Sequence, residues 1–99
     1  MPHKNVPVLV SLSGHVFSCK GLGIVRRVRV RLFDTATGIE RTTQTSERGF
    51  YRFDELEVRR FYIVPAKSRN YSFASDSYFI DLMKDHEDVN FTGERLFLK

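Results

Sequence analysis

The chain has one cysteine, Cys19, and no tryptophan. A single cysteine excludes an internal disulfide and any multi-cysteine metal centre. It leaves the compartment open, because secreted proteins also do without disulfides. No apolar run approaches the roughly 20 residues that a helix needs to cross a bilayer, so no membrane insertion is expected. The longest early apolar segment, Val6 to Leu12, is broken by Pro7 and Ser11. It has no small-residue cleavage pattern and does not read as a secretory signal. Nor does any stretch hold apolar residues at helical spacing for three turns.

Reactive motifs are equally scarce. A zinc hydrolase needs histidines and a carboxylate at ligand spacing. Three residues after His3, His15 and His86 stand Val6, Ser18 and Val89, so the three histidines read as solvated. Cys19 sits in a glycine-rich loop with no base near it in sequence, which reads as an ordinary thiol rather than a nucleophile. Gly21-Leu22-Gly23 lacks the third glycine of a dinucleotide turn and the Gly-Lys-Ser/Thr ending of a phosphate loop, and no helix follows it. Between Asp81 and Asp88, Asp81, Asp85, Glu87 and Asp88 offer hard oxygen ligands. They lack the alternating register and glycine of a calcium loop, so a solvated turn is the reading. No cofactor, metal or catalytic residue is expected, and the chain does not read as an enzyme.

What the sequence does hold is strand pattern. Nine Phe and four Tyr in 99 residues, with many β-branched residues, suit a packed all-β domain. Ninety-nine residues bury one core and leave no room for a second. Gly49 opens the most informative stretch: Tyr51 and Phe53 fall on one face, Phe50 and Arg52 on the other. Val8 to Phe17 reads as the first strand, with Leu12, Gly14 and Val16 on one side. Gly14 inside a strand signals a bulge or a close approach by another backbone. From Arg27 to Asp34, Val28, Val30 and Leu32 alternate with Arg27, Arg29 and Arg31, the mark of a half-buried strand. Asp34 to Gly38 then makes a hairpin turn, with Gly38 in the left-handed position. Further strands are expected over 39–45, 50–53, 61–66, 78–82 and 89–91, and Tyr71 and Phe73 repeat the aromatic alternation. The expected architecture is a seven-stranded antiparallel β-sandwich over residues 8–94, between tails at 1–7 and 95–99. Its core is expected around Val16, Val30, Leu32, Tyr51, Phe53, Tyr62, Phe73 and Phe91.

Charge is the one suggestive functional feature. The net charge is +4, and it is uneven: residues 1–60 carry eleven Lys/Arg against six Asp/Glu, residues 61–99 five against six. Arg27, Arg29 and Arg31 project from one strand face at intervals of about 6.6 Å, near the charge repeat of an extended anionic polymer. Arg26, Arg52, Arg59 and Arg60 could extend that face, and Phe50, beside Tyr51, could offer a stacking surface, so an anionic glycan or a nucleic acid is the candidate ligand. The plainer reading is that these arginines pair with carboxylates such as Glu40 or Asp54 and keep the sheet wet. That plainer reading is the favoured one, since the basic and aromatic pattern of established RNA-binding motifs is missing.

The ordered motifs Ser13-Gly14-His15-Val16, Gly21-Leu22-Gly23-Ile24 and Val28-Arg29-Val30-Arg31-Leu32 resemble the opening of carboxypeptidase regulatory-like domains, relatives of Cna B-type adhesin modules. Thr45, Gly49, Tyr51, Phe53, Leu56 and Tyr62 match that family's central pattern, and Tyr71-Ser72-Phe73 and Val89-Asn90-Phe91-Thr92-Gly93 resemble its closing strands. The resemblance spans residues 8 to 93 and implies a transthyretin-like (prealbumin-like) Greek-key sandwich. It also implies a non-catalytic module of a larger extracytoplasmic bacterial protein, at the cell surface or secreted. The chain is accordingly expected to be a piece of a longer one, with neighbouring domains or another protein as partner. Two positions depart from the family: Arg59-Arg60 replaces a Gly or Pro-Gly before the fifth strand, and Ser75 replaces a frequent Pro. Cna B-type modules often carry an isopeptide bond from a lysine on the first strand. Val8 to Phe17 contains no lysine, Lys4 and Lys20 only flank it, and no such crosslink is expected.

Overall fold

The computed structural model describes residues 8–18, 28–69, 71–73 and 75–95. Within them the chain forms β1 (Leu9–Ser18), β2 (Arg29–Asp34), β3 (Glu40–Gln44), β4 (Phe50–Glu57), β5 (Arg60–Lys67), β6 (Tyr71–Phe73), β7 (Ser77–Leu82) and β8 (Phe91–Arg95), with no helix among them. Two four-stranded sheets result, in the orders β4-β1-β8-β6 and β3-β2-β5-β7. Period-two alternation places their inner faces together. Leu12, Val16, Tyr51, Phe53 and Phe91 come from the first sheet, Val30, Leu32, Tyr62, Val64 and Leu82 from the second, and all are buried. Every residue of the expected core lies there except Phe73, which packs against it half-buried.

The expected seven strands become eight, because Tyr71–Phe73 pairs with β8 as a strand of its own. The all-antiparallel expectation fails at one ladder, since β1 and β8 run parallel, Val16 opposite Phe91 and Ser18 opposite Gly93. The cause lies in the chain before β8. His86 N–H donates to the Ser11 carbonyl at 2.9 Å, and Ser13 N–H to the His86 carbonyl at 2.9 Å. Val89 N–H then donates to the Ser13 carbonyl at 3.0 Å. The connection is thus laid along β1 in the same direction before β8 begins. It also explains why the last strand starts at Phe91 rather than Val89.

Gly14 makes that lay-down possible. A Cβ built there would stand 1.9 Å from the Val89 carbonyl oxygen, closer than any real contact. The close approach anticipated at this glycine is therefore the crossing of β1 by the 86–90 connection. Two further bonds tie it down: the Tyr51 hydroxyl donates to the Val89 carbonyl, and His15 N–H donates to the Asn90 side-chain oxygen at 2.8 Å.

Strand β4 runs four residues past its expected end at Phe53. Val10 pairs with Leu56 but Leu12 pairs with Phe53, so the register slips by one residue between them. Glu55 absorbs the extra residue with a left-handed backbone, φ 60°. Phe53 and Leu56, three apart, both point inward because of this bulge. Arg59 takes φ 66° in the β4–β5 turn, the conformation that glycine would supply at that point. In the β2–β3 hairpin Gly38 has φ 77°, as the turn chemistry requires.

Candidate functional site

Arg29 and Arg31 stand on the outer face of β2, both exposed, with Val30 and Leu32 inward. Arg52 is exposed on β4, which belongs to the other sheet, so its side chain faces away from the opposite side of the sandwich. The arginines expected to form one face are therefore divided between two. Arg27 lies outside the described residues, as do His3, Lys4, Cys19, Lys20, Gly21 and Gly23.

Local carboxylates meet two of these cations. Arg31 approaches Glu40 across the hairpin at 3.8 Å, and Arg52 Nε donates to Asp54 Oδ1 at 2.6 Å. Both are surface pairs of small energetic value, but they lower the charge on offer. Arg29 makes no ion pair among the described residues. It stands directly opposite Lys67 of β5, and both side chains are exposed.

A stronger cluster sits at one end of the sandwich. Arg60 donates to Asp34 Oδ2 at 2.6 Å and reaches Glu57 Oε1 at 3.0 Å. Asp34 also accepts Ala36 N–H at 2.9 Å in the hairpin turn. Burial pushes the Asp34 pKa up, but the Ala36 amide and the Arg60 guanidinium outweigh it and hold the carboxyl below its ordinary value. The cluster borders an open cavity of about 270 Å³, lined by Leu32, Asp34, Arg41, Glu55, Arg60 and Tyr62 among others. Arg41 is committed to the Asp54 carbonyl at 2.7 Å, and the Tyr62 hydroxyl to the Glu57 carbonyl at 3.0 Å. Burial raises the pKa of both Tyr62 and Tyr51, so each remains a protonated donor at neutral pH.

The depressed Asp34 pKa has a measurable consequence. A carboxyl whose folded pKa is below its unfolded value contributes stability above about pH 4, and loses it as pH falls through the folded pKa. Asp34→Asn should therefore lower stability at neutral pH and flatten the acid limb. Urea melts between about pH 7 and pH 3 would measure this. An acid limb of unchanged steepness would contradict the assignment.

Asp85 Oδ1 accepts the Ser11 N–H at 3.0 Å, which spends the central carboxylate of the acidic turn on β1. Asp81 lies on β7 instead. Among the described residues no three His, Cys, Asp or Glu side chains gather closely enough to hold a metal ion.

Sequence reasoning missed a row of apolar side chains on the outer face of the second sheet. Phe33 is opposite Ile63, and Ile63 opposite Phe79, across β2, β5 and β7. Phe79 is 66% exposed and stacks on Phe61 at 5.1 Å and 17°. The signal was present in β5, where Phe61, Ile63 and Pro65 alternate with the inward Tyr62 and Val64. Only the register brings the three strands' apolar residues into line. A second aromatic group, His15 with Phe17 and Phe50, lies on the outer face of the other sheet.

No family model matches the chain, and no curated protein is similar to it. A solved structure is. The chain superposes on the Bacillus anthracis TIE protein with a TM-score of 0.71 over 88% of its length, at 13% identity. The domain is a β-sandwich. It spans 16% of the TIE chain, and at this identity the likeness is one of fold alone.

Proposed function

We propose that this domain is a non-catalytic β-sandwich module, a spacer, presentation or protein-interaction domain of a larger bacterial surface or secreted protein. The observation that carries the reading is how the polar side chains are spent. The hydroxyls of Tyr51, Tyr62 and Tyr78 donate to the backbone carbonyls of Val89, Glu57 and Asn90. Arg60 closes on Asp34 and Glu57, and Asp85 on Ser11. These groups hold strands and connections in place, which suits a scaffold. The motif order that resembles carboxypeptidase regulatory-like and Cna B-type modules supports the same reading, and with it a transthyretin-like Greek-key path. So does the fold likeness to a small part of a much longer bacterial chain.

A second reading has one observation in its favour. Arg29 faces Lys67 without a described carboxylate between them, beside Arg31. That cationic patch could take an anionic glycan or a single nucleic-acid strand. Such binding would weaken steeply with salt, by about tenfold or more between 50 and 200 mM for several charge contacts. Anisotropy with a sulfated oligosaccharide and a single-stranded oligonucleotide tests it. No saturable binding is expected. Salt-sensitive binding that Arg29→Ala abolishes would replace the module reading by the anionic-ligand one.

A further inference from the structure

Each sheet has two edges, and they are not equally guarded. The second sheet ends in β3 and β7, the first in β4 and β6. Strand β3 is polar, with Glu40 and Arg41 exposed. Strand β4 carries Arg52, Asp54 and the bulge at Glu55, and β6 has only three residues. Lysine-like charges, bulges and shortness are what blunt an edge against pairing. Strand β7, Ser77-Tyr78-Phe79-Ile80-Asp81-Leu82, has no bulge, lysine or arginine, carries Asp81 as its one charge towards its end, and keeps an unbroken register with β5 from Leu82 to Ser77. Among the described residues no strand pairs with its outer edge.

The backbone of that edge can be read from its inner ladder. Ala66 N–H donates to the Asp76 carbonyl at 3.0 Å, which marks 66 and 76 as a hydrogen-bonded pair. Such pairs alternate along an antiparallel ladder, so Tyr78 and Ile80 also bond to β5. The N–H and C=O groups of Ser77, Phe79 and Asp81 then point outward. Their side chains lie on the outer face, with the exposed Phe79 at the centre of the strand.

We propose that two copies of the chain associate through β7, antiparallel about a two-fold axis that sets Phe79 opposite Phe79. Three conditions select this register. Directly opposed residues share a sheet face, so Phe79 must meet an odd-numbered residue or the second copy would turn its core face outward. Only groups that point outward can bond, and these are the same odd-numbered residues. Pairing Phe79 with itself then uses all three, with Ser77 opposite Asp81 on either side of the axis. No like charges meet in that arrangement, and a hydroxyl faces a carboxylate. The occupant is a second copy rather than another strand, because the apolar row Phe33–Ile63–Phe79 continues across the axis into its own mirror order. A two-fold contact of this kind is self-complementary by construction. This goes beyond the module reading and stands without it.

Sedimentation equilibrium of the chain from about 10 µM to about 1 mM tests the proposal, a range suited to a weak edge contact. The wild-type chain should dimerise reversibly within it. Phe79→Lys, at an exposed site that leaves the core untouched, should weaken dimerisation at least about tenfold by opposing two cations at the axis. Thermal melts should show both forms folded. An equimolar mixture of Phe79→Lys and Phe79→Glu should recover a heterodimer, which loss of fold or a different interface would not produce. A wild-type chain that stays monomeric throughout, or a dimer indifferent to Phe79→Lys, would overturn the proposal.

Discussion

Gly14→Ala is expected to destabilise the domain by about 3 kcal/mol or more, the upper range for overpacking a filled core. The new methyl would lie 1.9 Å from the Val89 carbonyl oxygen and 2.5 Å from its carbon. Both are backbone atoms, so no side chain can rotate out of the way. Moving that peptide would stretch the Val89-to-Ser13 amide bond and the Tyr51 and His15 bonds to residues 89 and 90 together. Gly38→Ala is the natural control. Nothing lies within 4 Å of its Cβ position, and the cost arises only from φ 77°. It should amount to about 1 kcal/mol. Urea denaturation of both variants gives the comparison. Equal costs, or a Gly14→Ala variant as stable as the parent, would contradict the crossing at β1.

Phe91→Ala should cost about 3–5 kcal/mol, the range for emptying a buried Phe site. Phe91 is fully buried at the start of β8, and its ring meets those of Tyr78 at 5.0 Å, Phe73 at 5.9 Å and Tyr51 at 6.2 Å. These three rings come from three strands in two sheets, so the cavity would loosen β7, β6 and β4 at once. For a domain of this size the midpoint of thermal unfolding should fall by more than about 12 °C. A fall of only a few degrees would mean that Phe91 is not the centre of the core.

Alternation made most of the inner surface legible in the sequence. Val30 and Leu32 against Arg29 and Arg31, and Tyr51 and Phe53 against Phe50 and Arg52, all fall as the period-two reading expects. Gly14 announced a close contact without saying with what, because the partner backbone lies 75 residues further on. The β4 bulge stayed hidden: Phe53 and Leu56 break strict alternation, and only the pairing with Val10 and Leu12 explains why both are inside. The candidate site was the least legible part. Arg52 follows the same alternation as Arg29 and Arg31, yet which sheet a strand joins depends on long-range pairing, and β4 joins the other one. The same limit concealed the Phe33–Ile63–Phe79 row, whose members sit in three strands.

We propose that the polar side chains described above serve the scaffold rather than a ligand site. An amide-shift titration of the wild-type chain, at a concentration too low for a weak self-contact, tests it. The panel is an anionic glycan, a single-stranded nucleic acid, neutral oligosaccharides and calcium. The expected result is no saturable shift with any of them. Shifts that saturate and cluster on Arg29, Arg31 and Lys67, or on residues 81–88 with calcium, would contradict the claim.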